Sequence, residues 1–151
     1  MSQNQYERVQ SYIRKGIEEG AEVLVGGEGH PPGFEAGYFV KPTVFVKVKN
    51  DMTIAQEEIF GPVLCVITYD SEDEAIQIAN DSRYGLHASV LGTDLQRAHR
   101  VASQIRAGRV VINGMTDDPQ APWGGFKYSG FGREYGQYGI EAFLETRAIL
   151  E

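Results

Sequence analysis

A chain of 151 residues, 42% of them apolar and 23% charged, is long enough to bury a core of its own and too apolar to be disordered. Its 21 acidic residues outweigh 14 basic ones, giving a net charge of −7, and no basic stripe interleaved with aromatics offers a footing for nucleic acid. One cysteine cannot close an internal disulfide, no apolar run approaches the roughly 20 residues of a membrane span, and the first five residues carry no secretory signal, which together point to a cytoplasmic chain.

From Gln3 to Gly20 the residues Tyr6, Val9, Ile13 and Ile17 recur at helical spacing, with Gly20 placed to end the helix. Glu22 to Val25 reads as a short strand stopped by Gly26-Gly27. Residues 27–37 are a loop by composition, in which His30 beside Pro31-Pro32 reads as solvated. Residues 38–48 alternate around Val44, Val46 and Val48, which predicts a half-exposed strand in up to two pieces about Pro42. Next come Gln56-Glu57-Glu58-Ile59-Phe60-Gly61-Pro62, a tight turn, and the apolar run Val63 to Ile67, which reads as a buried strand.

Ser71 and Glu74 form a capping box for a helix expected to end near Ser82. His87 to Leu91 is the next strand. Thr93 and Gln96 read as a second capping box, opening a helix whose face is Leu95, Ala98, Val101, Ala102 and Ile105, with Gly108 as its stop. Arg109 to Ile112 reads as another buried strand. Residues 113–132, rich in glycine and carrying Trp123, Phe126, Tyr128 and Phe131, form a loop long enough to be functional. A weak helix over 133–143 and a short strand over 145–150 complete the chain. The alternation of strands with long helical crossovers predicts an α/β fold, a parallel sheet covered by helices. With no internal repeat and no linker, residues 1–151 read as a single domain.

The residues alone give no catalytic set and no metal site. Gly130-Phe131-Gly132 with Gly136, and Gly26-Gly27-Glu28-Gly29, both lack the strand-to-helix context of a phosphate-cradling loop. Cys65 sits mid-strand with no His or Lys beside it and reads as a small buried hydrophobe. His87 and His99 fit no ligand spacing. Glu57-Glu58-Ile59-Phe60 is either a solvated acidic turn with a Phe anchor or a seat for a sugar hydroxyl pair and a flat heterocycle. Trp123 is either a half-buried loop anchor or a pocket wall. Asn113 is expected to organise the long loop through its amide.

Gln56-Glu57-Glu58-Ile59-Phe60-Gly61-Pro62-Val63 resembles the coenzyme-contacting motif of the NAD(P)-dependent aldehyde dehydrogenase superfamily. The segments Lys41 to Phe45, Tyr84 to Leu86, Ala107 to Asn113 and Pro122 to Gly130 agree with it in order and spacing. The resemblance covers nearly the whole chain but only the C-terminal third of the family's usual length. It implies part of a catalytic domain followed by a C-terminal oligomerisation strand. It also implies a reaction in which a cysteine thiolate attacks an aldehyde, hydride passes to NAD(P)+, and a glutamate-activated water releases the acid.

On the matching positions, Glu58 would accept hydrogen bonds from the nicotinamide ribose hydroxyls and Phe60 would pack against the nicotinamide. Leu86 would line the nicotinamide side, and Trp123 would stand at the mouth of the aldehyde pocket. The family's catalytic cysteine, oxyanion asparagine, general-base glutamate and coenzyme-binding βαβ units fall outside the region matched. The expectation is therefore a portion inactive by itself, the alternative being a non-enzymatic module that reuses the fold for assembly or nucleotide binding. Thr146 to Leu150 matches the strand that extends a neighbouring subunit's sheet, which implies a homodimer or higher homo-oligomer. Residues 114–121 depart from common family versions, so the substrate class stays open.

Overall fold

The computed structural model describes residues 2–114 and 118–151, which form a mixed α/β structure in two compact units, Met1–Asp70 and Ser71–Glu151. The expected departure over 114–121 lies partly outside the described residues.

In the first unit, α1 (Gln3–Glu18) opens on Ser2, whose hydroxyl accepts a bond from the Gln5 amide at 3.3 Å. Val9, Ile13 and Gly16 form its buried side. Strand β1 (Glu22–Val25) pairs antiparallel with β2 (Thr43–Val46), which pairs parallel with β3 (Val63–Cys65). Between β2 and β3 lies α2 (Thr53–Gln56), a single turn whose N-cap, Met52, makes no side-chain cap bond to it. Glu19, just past the end of α1, supplies it from a distance: its carboxylate accepts from the Thr53 hydroxyl at 2.6 Å and the Thr53 amide at 2.7 Å. Those bonds, the hydroxyl first, hold the Glu19 carboxyl below the usual range.

Phe45, Val9 and Ile13 are completely buried and pack with Val40, Val48, Met52, Ile54 and Ile59. Burying Phe45 alone contributes about 1.5–3 kcal/mol. The expected strand over 38–48 shrinks to the four residues of β2, and β3 is not the buried strand its composition suggests. Val63, Cys65 and Ile67 pack on the core while Leu64 is 60% exposed. Alternation sends Leu64 to the sheet face opposite that core.

In the second unit, α3 (Glu72–Asn80) begins as expected, the Ser71 hydroxyl accepting from the Glu74 amide at 3.2 Å. Strand β4 (Tyr84–Gly85) precedes β5 (His87–Val90) by one residue, and α4 (Leu95–Ala102) carries the chain to β6 (Arg109–Ile112). β5 and β6 are parallel, with His87 opposite Arg109, while β4 pairs antiparallel with β7 (Phe126–Lys127). Helix α5 (Gly136–Glu141) is shorter than the expected 133–143. The N-cap of α4 is Asp94 and not Thr93: its carboxylate accepts from the Arg97 amide at 3.0 Å, which lowers the Asp94 pKa. The helix stops at Ala102, well before Gly108.

Gly108 stands just before β6 at a place where two backbones touch. A Cβ there would fall on the Gly124 carbonyl oxygen and lie 3.3 Å from the Gly125 Cα.

The parallel pairs β2–β3 and β5–β6 uphold the α/β class, but the strands divide among three small sheets where one was expected. Residues 145–150 form no strand. Among the described residues no strand pairs with them, and Ile149 and Leu150 are exposed. A strand requires a hydrogen-bonded neighbour, and this segment lacks one.

Candidate functional site

The turn from Glu57 to Gly61 is held by one side of α1. Gln5 Nε2 donates to the Phe60 carbonyl at 2.6 Å, Arg8 Nη2 donates to the Glu58 carbonyl at 2.6 Å, and Tyr12 Oη donates to Glu57 Oε2 at 2.8 Å. Gln5, Arg8 and Tyr12 stand at i, i+3 and i+7, on one helix face beside the buried Val9 and Ile13. Ile59 is buried from the middle of the turn, and Gly61 backs directly onto Val9.

Pinned at these points, the turn presents two groups outward. The Glu58 carboxylate has no hydrogen-bond or ion-pair partner among the described residues. Phe60 is 73% exposed and adopts φ +61°, a left-handed backbone that a bulky residue takes only under constraint. Beside them is a cavity of about 400 Å3 lined by Ile54, Ala55, Glu57, Ile59, Val63, Cys65 and Ile67 as well as Glu58 and Phe60. That volume lies within the range of small-molecule sites.

Cys65 packs against the core on one side and lines this cavity, so it is half-buried where full burial was expected. Its thiol donates to the Ile54 carbonyl at 3.4 Å, and burial pushes its pKa up, away from nucleophilic character at neutral pH.

In the second unit, Leu86 is the single residue between β4 and β5, and it is 41% exposed. Its position is fixed through its neighbours: the Gly85 amide donates to Ser129 Oγ at 3.0 Å, and the Gly85 and Leu86 carbonyls accept from the Gly108 and Arg109 amides. Trp123 is half-buried. Its backbone exchanges hydrogen bonds with Glu134 at 2.9 and 2.7 Å, its ring lies under the Arg109 guanidinium at 4.9 Å, and the His87 ring stands 6.2 Å away. Glu58 and Phe60 thus belong to the first unit, Leu86 and Trp123 to the second.

Asn113 acts differently from the expectation. Its amide exchanges bonds with the backbone of Gly92, at 2.6 and 2.7 Å, so it prolongs the β5–β6 pairing past the strand ends. The long loop is organised by Arg133 instead, which donates to the Gly125 and Gly132 carbonyls and covers the Phe126 ring at 5.3 Å.

Sequence reasoning missed the clamp formed by Gln5, Arg8 and Tyr12. Their i, i+3, i+7 spacing along one side of a helix rich in other polar residues was its only trace. Among the described residues no His, Cys, Asp and Glu cluster could hold a metal ion, and no helix is long and apolar enough to cross a membrane.

Comparison with known proteins adds a consistent set of relatives. The family model described as "Aldehyde dehydrogenase family" matches residues 1–149. A provisionally named aldehyde dehydrogenase of Staphylococcus aureus strain USA300 is 58% identical over 149 residues, which are 99% of this chain and 31% of that protein. Aldehyde dehydrogenase C of Pseudomonas syringae, solved as a cysteine-to-alanine mutant with NAD+ and octanal, superposes with a TM-score of 0.95 at 55% identity, covering 98% of this chain and 30% of that one. The Mycobacterium tuberculosis aldehyde dehydrogenase solved with NAD+ gives 0.91 at 55% identity, covering 94% and 29%. The chain therefore spans about a third of the length of the relatives it matches.

Proposed function

The chain belongs to the aldehyde dehydrogenase family, and on that footing we propose that it is the portion of an NAD(P)-dependent aldehyde dehydrogenase that receives the nicotinamide half of the coenzyme. The observation that carries this reading is the Glu57–Phe60 turn, with its unpaired Glu58 carboxylate, outward aromatic ring and adjoining cavity. A carboxylate accepts two hydroxyl donors at once, which suits the ribose, and an exposed aromatic edge or face suits the flat nicotinamide ring. These residues fit that half of the dinucleotide.

When bound, the coenzyme supplies the hydride acceptor for oxidising an aldehyde to an acid. The chain's own part is placement: Glu58 holds the ribose, Phe60 limits where the nicotinamide ring can sit, and Leu86 lines the nicotinamide side. Trp123 is assigned to the mouth of the aldehyde pocket by its motif, alongside the anchoring role that its Arg109 and His87 contacts already give it. The one thiol, Cys65, is half-buried with its pKa raised, which does not suit it to attack an aldehyde. NAD+ is the coenzyme found with the two solved relatives named above, and the choice between NAD+ and NADP+ is made by testing both.

The test is Glu58→Gln in a complete family enzyme carrying this segment. Losing a charge-assisted hydrogen bond is expected to weaken coenzyme use by about 1.5–3 kcal/mol, with aldehyde KM little changed. Unchanged coenzyme KM and kcat would refute the ribose assignment. If a coenzyme titration of the isolated chain shifts no NMR signal of the turn, binding requires the rest of a family-length enzyme. Signals that shift instead support the free-standing nucleotide-binding alternative.

A further inference from the structure

Two carboxylates stand side by side in the turn, and they are treated unlike each other. The Glu57 carboxylate receives the Tyr12 hydroxyl at 2.8 Å, whereas the Glu58 carboxylate receives nothing from the described residues and only its backbone carbonyl is held, by Arg8. Arg8 also reaches Tyr12: its Nη2 lies 3.5 Å from Tyr12 Oη and its guanidinium 5.3 Å from the Tyr12 ring centroid. One helix side therefore sets three successive features of the turn, with Gln5 on the Phe60 carbonyl as the third. The left-handed backbone of Phe60 falls at the end of the segment so restrained.

From this we infer that Tyr12 is a positioning residue which, by fastening the Glu57 carboxylate to α1, leaves Glu58 as the one carboxylate free to meet a ligand and holds Phe60 in its outward, left-handed conformation. This inference rests on the proposed coenzyme reading for its purpose, but not for its geometry. Tyr12 acts through the turn and touches no reacting atom. Without its hydroxyl, Glu57 and Glu58 become two equivalent free anions on neighbouring residues. Alternating geometry would then let either one swing toward the cavity that both line, and like charges that close repel. Fastening one of them removes that choice.

The experiment uses the whole chain, isotope-labelled, with Tyr12→Phe as the main variant. Phenylalanine keeps the ring over which Arg8 lies and deletes the hydroxyl, with its donation to Glu57 and its long acceptance from Arg8, so the fold and thermal midpoint are expected to stay close to those of the unaltered chain. The readout is the intraresidue HN–Hα cross-peak of Phe60, which is strong in left-handed backbone and weak otherwise. It is expected to be strong in the unaltered chain and to weaken in Tyr12→Phe and in Glu57→Ala. Glu57→Gln keeps a carbonyl oxygen to accept from Tyr12 and is expected to retain the strong peak. A purely structural tyrosine would not discriminate between Gln and Ala at position 57.

A Phe60 peak equally strong in Tyr12→Phe overturns the inference, as does loss of the peak in Glu57→Gln. A second measurement separates this outcome from failure of the coenzyme reading. In a complete family enzyme carrying the segment, Tyr12→Phe is expected to raise the coenzyme KM several-fold with aldehyde KM unchanged. A weakened Phe60 peak with coenzyme KM unaffected keeps the latch and discards the coenzyme purpose.

Discussion

Replacing Gly61 by alanine tests how tightly the turn is seated on α1. The added Cβ would lie 2.6 Å from Val9 Cγ2, 2.8 Å from Val9 Cγ1 and 3.3 Å from Val9 Cβ. Carbon atoms pack well at about 3.5–4.0 Å, so two of these approaches overlap by roughly 1 Å. Val9 is fully buried, and a β-branched side chain in a helix has essentially one rotamer, so it cannot turn both methyl groups away. The remaining response is to lift the turn from the helix, which strains the bonds that Gln5, Arg8 and Tyr12 make to it.

Overpacking of this kind costs about 1–3 kcal/mol. With a urea m-value of about 1–3 kcal/mol/M, the unfolding midpoint should fall by about 1 M. Far-UV circular dichroism is the suitable probe, because the one tryptophan, Trp123, lies in the other unit. Val9→Ala removes both offending methyl groups. It should be destabilising alone, yet it should shrink the cost of the alanine at 61 by about 1–2 kcal/mol in a double-mutant cycle. Costs that simply add, or a Gly61→Ala midpoint equal to that of the unaltered chain, would show that the turn does not rest on Val9.

Glu19→Gln should lower stability by about 1 kcal/mol near neutral pH through the weakened cap on α2. Because the folded carboxyl has a depressed pKa, that stability is present above the unfolded value and lost as pH falls through the folded one. The two unfolding curves should therefore converge in acid, and a constant gap would refute the cap. The Cys65 thiol, raised by burial, keeps its proton longer when folded, so its contribution is present below the ordinary thiol range and lost as pH climbs above it. Stability should decline in mild alkali in the unaltered chain and less so in Cys65→Ala, and thiol reagents should react far faster after denaturation. We also expect the chain to self-associate, most simply as a homodimer, because Thr146 to Leu150 has no strand partner among the described residues while Phe131, Phe143 and Leu150 are largely exposed. Light scattering coupled to size exclusion checks this; a folded monomer at tens of micromolar would end the idea.

What could be read in the sequence was whatever depends on near neighbours. Ser71 caps α3 because its acceptor and the Glu74 amide are three residues apart, and α1 follows from the period of Val9 and Ile13. The second cap was misplaced by one residue because Asp94 and Thr93 both carry acceptors, and local spacing alone does not choose between them. Burial was harder to read. The composition of Val63 to Ile67 is that of a strand covered on both faces, yet coverage depends on what packs above Leu64, which the run itself does not encode.

The candidate site divides in the same way. Glu58 and Phe60 stood out as a motif, but the bonds that arrange them join side chains of α1 to backbone carbonyls some 50 residues further on. A bond to a carbonyl leaves no mark on the identity of the residue that accepts it. The left-handed φ of Phe60 is equally invisible, since nothing in the sequence distinguishes it from an ordinary aromatic in a turn. Asn113 was recognised as an organising amide, but its partner, Gly92, lies on the neighbouring strand's exit and offers only backbone.

The backbone contact at the start of β6 has a consequence for how this segment can vary. With the Gly124 carbonyl where a side chain would begin, position 108 admits hydrogen and nothing else unless the facing loop moves with it. In a saturation library every column but glycine should empty at 108. No single second change should refill it, because the obstacle is main chain, which carries no letter to mutate. Drift can reach Trp123 and its surroundings only through loops that keep that carbonyl in place. Insertions and deletions between residues 113 and 123 would then be the open route by which this part of the molecule acquires new preferences, and point substitutions at the contact a closed one.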